Sequence, residues 1–226
     1  MLEVWKQLVC DANKALKELQ LVKWTSGNVS YRDYENNRVI IKPSGVHFDA
    51  LKVEDMVVVD LEGNVIEGKL KPSVDTHSHL YVYRHRKDIH SIVHTHSPFA
   101  TSFAIRGLDI PSYTTTAANL FKDRVPCSGF AAIGEEEIGK QIIDHIGDSS
   151  AVLLRNHGVF TVGKDIEHAM KAAVILEETA EYAHYATLHE PDLEPLSIEV
   201  IKQCNHFYST TYGQEENESI TKGESK

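Results

Sequence analysis

Apolar and polar positions along the chain follow two periods, one helical and one extended. Over residues 2–20 the apolar side chains fall at Val4, Leu8, Ala12, Leu16 and Leu19, a stripe down one face of a helix. RVIIKPSGV (38–46) reads as a strand running into a Pro-Ser-Gly turn, and MVVVDLEGNVIEG (56–68) as a hairpin turning at Glu62-Gly63-Asn64. THSHLYVYRH (76–85) predicts a helix and IHSIVHTH (89–96) a strand. PFATSFAI (98–105) then opens a helix with proline, whose missing N–H is not needed in a first turn. GEEEIGKQIIDHIGD (134–148) predicts another helix, with its acidic residues near the N-terminus where the dipole favours them. SAVLLRNHGVFTVG (150–163) gives two short strands about Asn156-His157-Gly158. Asp165 caps a long helix that stops before Pro191, and a last helix runs from about Ser197 to Tyr208.

The order of elements implies an α/β fold whose sheet is covered by helices and mixed rather than all parallel. No internal repeat is visible. A length of 226 residues with 42% hydrophobic content suits one globular domain, here 1–214. The remainder, 215–226 (EENESITKGESK), is polar and without an apolar pattern, and reads as a disordered tail.

Charge and cysteine usage narrow the class. A formal charge of −10 argues against a nucleic-acid partner, and no apolar run approaches the ~18 residues of a membrane span. Cys10, Cys127 and Cys204 are far apart and in no CxxC pattern, which fits reduced thiols in a cytoplasmic protein.

The histidines carry the first candidate chemistry. His94 and His96 stand two apart at the end of an apolar run, so in a strand both would project from one face. His157 follows a second apolar strand in a tight turn, where Gly158 lets backbone approach closely. Three imidazoles with a fourth position open suit a catalytic divalent metal, although spacing alone does not bring His157 to the other two. Asp75, at the start of a helix, reads either as a carboxylate beside that metal or as a simple N-cap. His77 and His79 cannot share a helical face and read as ordinary, partly exposed residues. Three turns have the small residues and donors of anion sites: TSGNVS (25–30), KPSG (42–45) and KPS (71–73). Each alone is equally a plain strand-end turn.

Taken in order, SGNVS, IKPSGV, DMVVVD, KPSVDTHSHL, IVHTHS, NHGVFTVGK and TYGQ closely resemble the class II aldolase/epimerase family, from the first helix to Gln214. The resemblance implies a three-layer α/β/α fold and a homotetramer with shared active sites. It also implies a divalent metal, zinc first, on His94, His96 and His157, with Asp75 as the acidic residue beside it. Gly27, Asn28, Ser44, Gly45 and Ser73 match substrate- or phosphate-contacting positions, with Lys42 beside them, and Tyr212 matches an acid/base tyrosine reaching a neighbouring subunit's site. The implied activity is a pentulose-5-phosphate 4-epimerase working by retro-aldol and aldol steps; sugar-phosphate aldolases and decarboxylases use the same enediolate chemistry.

Two positions depart from the epimerase pattern. Val74 stands where a serine near the phosphate is usual, and TTTAAN places Asn119 where a catalytic aspartate is usual, with Ala117 replacing a histidine. An amide cannot exchange a proton at neutral pH as a carboxylate can. Asp123 is the nearest carboxylate by sequence. The departures bear on the reaction and leave open a homologue that binds metal without catalysis. His206 lies near a C-terminal histidine of the family, in an ambiguous alignment.

Overall fold

Seven strands form one sheet in the order β4-β3-β2-β1-β5-β9-β8 in the computed structural model, which describes residues 1–211. They are β1 (Asn28–Asp33), β2 (Arg38–Ile41), β3 (Val57–Asp60), β4 (Val65–Glu67), β5 (Ser91–Thr95), β8 (Ala151–Leu154) and β9 (Gly158–Gly163). A separate ribbon pairs β6 (Ile110–Pro111) with β7 (Arg124–Val125). The helices are α1 (Leu2–Glu18), α2 (Thr76–His85), α3 (Pro98–Arg106), α4 (Thr115–Phe121), α5 (Glu137–Ile146), α6 (Ile166–His189) and α7 (Ile198–Thr211).

Alternation along each strand divides the core between two helical layers. Val39, Ile41, Val57, Val59, Ile92, Val152 and Phe160 face α2 and α5, where Leu80, Tyr83, Ile138, Ile142 and Ile146 meet them. Val29 and Val93 face the other way, onto Leu16 of α1 and Ala169 and Ala173 of α6. Leu153 and Val159 do the same against α3, α4 and α6. Ile138, Ile142 and Ile146 recur every four residues, so one face of α5 buries three isoleucines, each contributing ~1.5–3 kcal/mol. The expected three-layer α/β/α arrangement follows.

The sheet's pairing is simpler than the mixed pattern anticipated. Each pair of named strands is antiparallel, and the parallel contact is confined to an isolated bridge between Cys127 and Leu153. Backbone bonds Ser128 N to Leu153 O and Leu153 N to Pro126 O, both 2.8 Å, cover the β8 edge there.

Two segments gain structure that their hydrophobic pattern did not announce. TSGNVS is a turn only as far as Gly27; Asn28 begins β1, whose six residues are all buried. TTTAAN becomes the start of α4, capped by the Thr114 hydroxyl, which accepts from Ala117 N at 3.2 Å. Asp165 caps α6 as expected, accepting from His168 N at 2.8 Å. Tyr212 and the 215–226 tail lie outside the described residues.

No helix among the described residues is long and apolar enough to cross a membrane. Cys10, Cys127 and Cys204 are free thiols.

Candidate metal centre

β5 ends at Thr95, so His94 is its last-but-one residue and His96 lies just beyond it. The β8–β9 turn brings His157 to the same place, since β9 pairs antiparallel with β5 and sets Val159 opposite Thr95. Asn156 takes a left-handed φ of +58° in that turn, a conformation asparagine tolerates. The three rings pack with centroids 4.8, 4.9 and 5.2 Å apart. Each offers one ligand nitrogen, and these nitrogens all lie within 4.8 Å of one another.

The donor set fits a divalent cation. His94 Nδ1 lies 2.9 Å from the Val159 carbonyl, a bond that fixes the tautomer and leaves Nε2 for the centre. His157 Nδ1 is buried and has no hydrogen-bond partner among the described residues. Burial, followed by repulsion from the neighbouring imidazoles, lowers His96 and His157 to about 4, so both rings are deprotonated at neutral pH, the form that binds metal. His94 is buried and His157 half-buried; His96 is the most exposed of the three, although its ring nitrogens are partly desolvated by the other two imidazoles. Backbone contact therefore has to hold His96: a Cβ on Gly158 would stand 2.4 Å from its Cδ2.

The three anion-type turns converge on the same cavity of about 300 Å³. Its wall carries Thr25–Asn28, Lys42–Gly45, Ser73–Asp75, the three histidines and Ile133. The two KPS turns bind each other, Ser44 N donating to Lys71 O at 2.9 Å and Ser73 N to Lys42 O at 3.0 Å. Gly27, with φ +94°, lets the first turn close on β5, since a Cβ there would meet the His94 carbonyl at 2.9 Å.

Asp75 holds the N-cap position of α2, but its side chain makes no cap bond. Instead its Oδ2 accepts from Asn28 Nδ2 at 2.8 Å and from Ser73 Oγ at 3.2 Å. Burial would raise its pKa; the pull of His94, His79 and His157 and the Asn28 bond outweigh it, and the carboxyl lies below its ordinary value. The group with ligand spacing consists of the three histidines, with Asp75 beside it in the cavity wall. Lys42 is nearly enclosed, its Nζ 3.3 Å from the Thr25 and Pro43 carbonyls and 4.8 Å from the centre of the Phe48 ring. Burial pushes its pKa down to about 8, against the pull of Asp75.

Known proteins share this fold. Residues 7–184 match the family described as class II aldolase and adducin N-terminal domain. The chain is 40% identical to L-ribulose-5-phosphate 4-epimerase UlaF of Salmonella paratyphi A, over 92% of this chain and 98% of that protein. A solved L-fuculose 1-phosphate aldolase superposes with a TM-score of 0.87 at 30% identity, covering 91% of this chain and 96% of the other. The L-fuculose-1-phosphate aldolase of Thermus thermophilus gives 0.72 at 26% identity, covering 87% and 100%. The chain belongs to the class II aldolase family.

For a class II aldolase domain, several positions fall elsewhere than their sequence signals suggested. Asn119 does not line the cavity; it joins α4 to α7. With its amide oriented to satisfy both ends, Nδ2 donates to Cys204 O at 2.9 Å and to Thr115 O at 3.2 Å, while Asn205 Nδ2 donates to the Asn119 carbonyl at 3.0 Å. Asp123 pairs with Arg124 at 3.7 Å, and with His206 it lines a separate groove between the end of α4 and α7.

His77 is exposed as expected, but His79 is fully buried. The reason is β1: Ser30 Oγ lies 2.7 Å from His79 Nδ1 and 2.7 Å from the Tyr83 hydroxyl, giving the imidazole a polar partner inside the core. Ile133 went unnoticed in the sequence. It sits in a loop without periodicity, 59% exposed, and joins Val74 and Pro43 as an apolar part of the wall.

Proposed function

We propose that this chain is a zinc-dependent L-ribulose-5-phosphate 4-epimerase working by retro-aldol and aldol steps. The observation that carries the reading is the meeting of a three-imidazole donor set and three anion-type turns in one cavity. The name of the 40% identical relative supports the sugar and the position of inversion.

Phosphate on the substrate would be taken by the backbone N–H groups and hydroxyls of Ser44, Gly45 and Ser73, with Lys42 as the nearby cation. A divalent metal held by His94, His96 and His157 would supply Lewis-acid stabilisation of the charge that develops as the carbon–carbon bond breaks. In the forward step a base takes the C4 hydroxyl proton and the C3–C4 bond electrons pass to the ketose fragment, giving an enediolate and an aldehyde. The aldehyde turns, the enediolate re-adds to its other face, and an acid returns the proton. Held by its phosphate, the aldehyde fragment stays and the outcome is epimerisation; released, the outcome is cleavage.

Besides the three imidazoles, Lys42 and Asp75 are the titratable side chains in the cavity wall among the described residues. Opposite-face proton transfer therefore favours a further group from outside this wall. Tyr212 of a neighbouring subunit in a homotetramer is our candidate, in preference to Asn119, whose amide cannot exchange a proton at neutral pH as a carboxylate can.

That missing carboxylate favours a second reading, a class II aldolase acting on a sugar phosphate. Offering the zinc-loaded protein a panel of ketose phosphates and their unphosphorylated counterparts tests the proposal. Turnover confined to phosphorylated pentuloses is expected. Equal turnover of the unphosphorylated sugars would refute the phosphate role of the turns.

A further inference from the structure

His96 is the exposed member of the triad. What aims it is the chain on either side. Upstream, Thr95 is locked into the β5–β9 ladder. Downstream come Ser97 and then α3, and the start of this helix is unusual. Ser97 occupies the N-cap position but its side chain makes no cap bond, and Pro98 has no N–H to offer. The first free backbone donors are Phe99 N and Ala100 N. Both are taken by a single carboxylate from α6: Phe99 N donates to Glu177 Oε1 at 2.8 Å and Ala100 N to Glu177 Oε2 at 2.9 Å.

We infer that Glu177 is a positioning residue for the metal centre, a two-pronged clamp on the start of α3 that sets where His96 points. The inference rests on the metal reading of the triad. An ionised carboxylate at a helix N-terminus gains from both the dipole and the two charge-assisted bonds. The clamp also ties the His96 segment to α6, whose Ala169 and Ala173 pack on Val93 of the same strand that carries His94. Two ligands of the triad thus take their relative position from one helix. No local pattern around the histidines points to Glu177, which is 78 residues in sequence from the N–H it holds at Phe99.

The test compares wild type, Glu177→Gln and Phe103→Leu. The glutamine keeps the side chain's shape but replaces one acceptor with a donor facing an N–H. Phe103→Leu loosens the buried face of the same helix and leaves its N-terminus alone. Each protein is stripped of metal and titrated with Co(II), following affinity, the visible ligand-field spectrum and Tm. We expect Glu177→Gln to bind Co(II) ~10–100-fold more weakly, the range seen when partners behind the ligands are lost, with altered ligand-field bands. Phe103→Leu should lower Tm and leave both readouts as in wild type. A Glu177→Gln protein with reduced Tm but wild-type affinity and spectrum would overturn the assignment and leave the metal reading standing. If Glu177→Gln does not fold, Glu177→Asp, whose shorter carboxylate cannot span both N–H groups, takes its place under the same criteria. Wild type that takes up no Co(II) would overturn the metal reading itself, and the clamp with it.

Discussion

Asn28 lies directly across from His94 in the β1–β5 pairing, and its side chain donates to Asp75 at 2.8 Å. One residue thus links the histidine strand to the start of α2, with Ser73 Oγ 3.1 Å away on the same amide. The anion-type turns and the imidazoles are in this way parts of one hydrogen-bonded assembly.

If Lys42 takes the phosphate as proposed, it contributes binding at the expense of stability. Its ammonium has no ion-pair partner among the described residues, and burial depresses its pKa to about 8. Lys42→Met keeps the apolar stem, so it should raise stability, on the order of 1–3 kcal/mol, while weakening inorganic phosphate binding at least ~10-fold. Because the native pKa lies below the unfolded value, the unfolded chain binds more protons between pH 8 and about 10.5. Wild-type stability should rise through that window, and the variant's advantage should be largest below pH 8 and shrink above it. Chemical denaturation at pH 7 and pH 10 measures both; a variant less stable than wild type at pH 7 contradicts the reading.

Gly158 tests the backbone contact under His96. Its added methyl would stand 2.4 Å from His96 Cδ2 and 2.5 Å from the Thr95 carbonyl, so Gly158→Ala must move the ring or the strand end. Zinc affinity should fall ~10-fold or more, by analogy with lost support behind metal ligands. Competition with a chromogenic chelator reads this; unchanged affinity would mean that the ring adapts freely.

Much of this site is legible in the sequence, and the gaps have physical causes. HTH and NHG announce themselves because two apolar strands end at them, and the KPS turns because proline and small residues break the pattern. β1 hides because Ser30 and Arg32 point into the core and find partners there, His79 and Tyr83, which leaves Val29 and Tyr31 as the strand's short apolar signal. The burial of His79 is hidden for the same reason. The places of Asn119 and Ile133 depend on how α7 and the 129–136 loop pack, which no local pattern encodes.

Asn119→Asp should not restore a family-like acid. The introduced carboxylate would face the carbonyl oxygens of Cys204 and Thr115, where the amide now donates. Losing these bonds at a half-buried site should lower stability by ~1–3 kcal/mol at neutral pH. The folded-state pKa of the introduced group would be raised, so the deficit should be smallest below about pH 4, grow as pH rises to the folded value, and level off above it. Melting curves from pH 4 to pH 8 follow it; a deficit that shrinks with rising pH would be the wrong sign.

The proposed sharing of the active site between subunits makes a separate prediction. A Tyr212→Phe chain and a His94→Asn chain, each inactive alone, should regain part of the activity once their subunits exchange, because some mixed sites are intact. Absence of recovery after exchange is demonstrated by mass labelling would place the acid/base group within one chain.

The most direct test follows L-ribulose 5-phosphate with the zinc-loaded wild-type protein, resolving its C4 epimer, D-xylulose 5-phosphate, from the fragments dihydroxyacetone and glycolaldehyde phosphate. We expect epimer as the main product, with fragments a small minority. Fragments accumulating faster than epimer, or no turnover with metal bound, would contradict it.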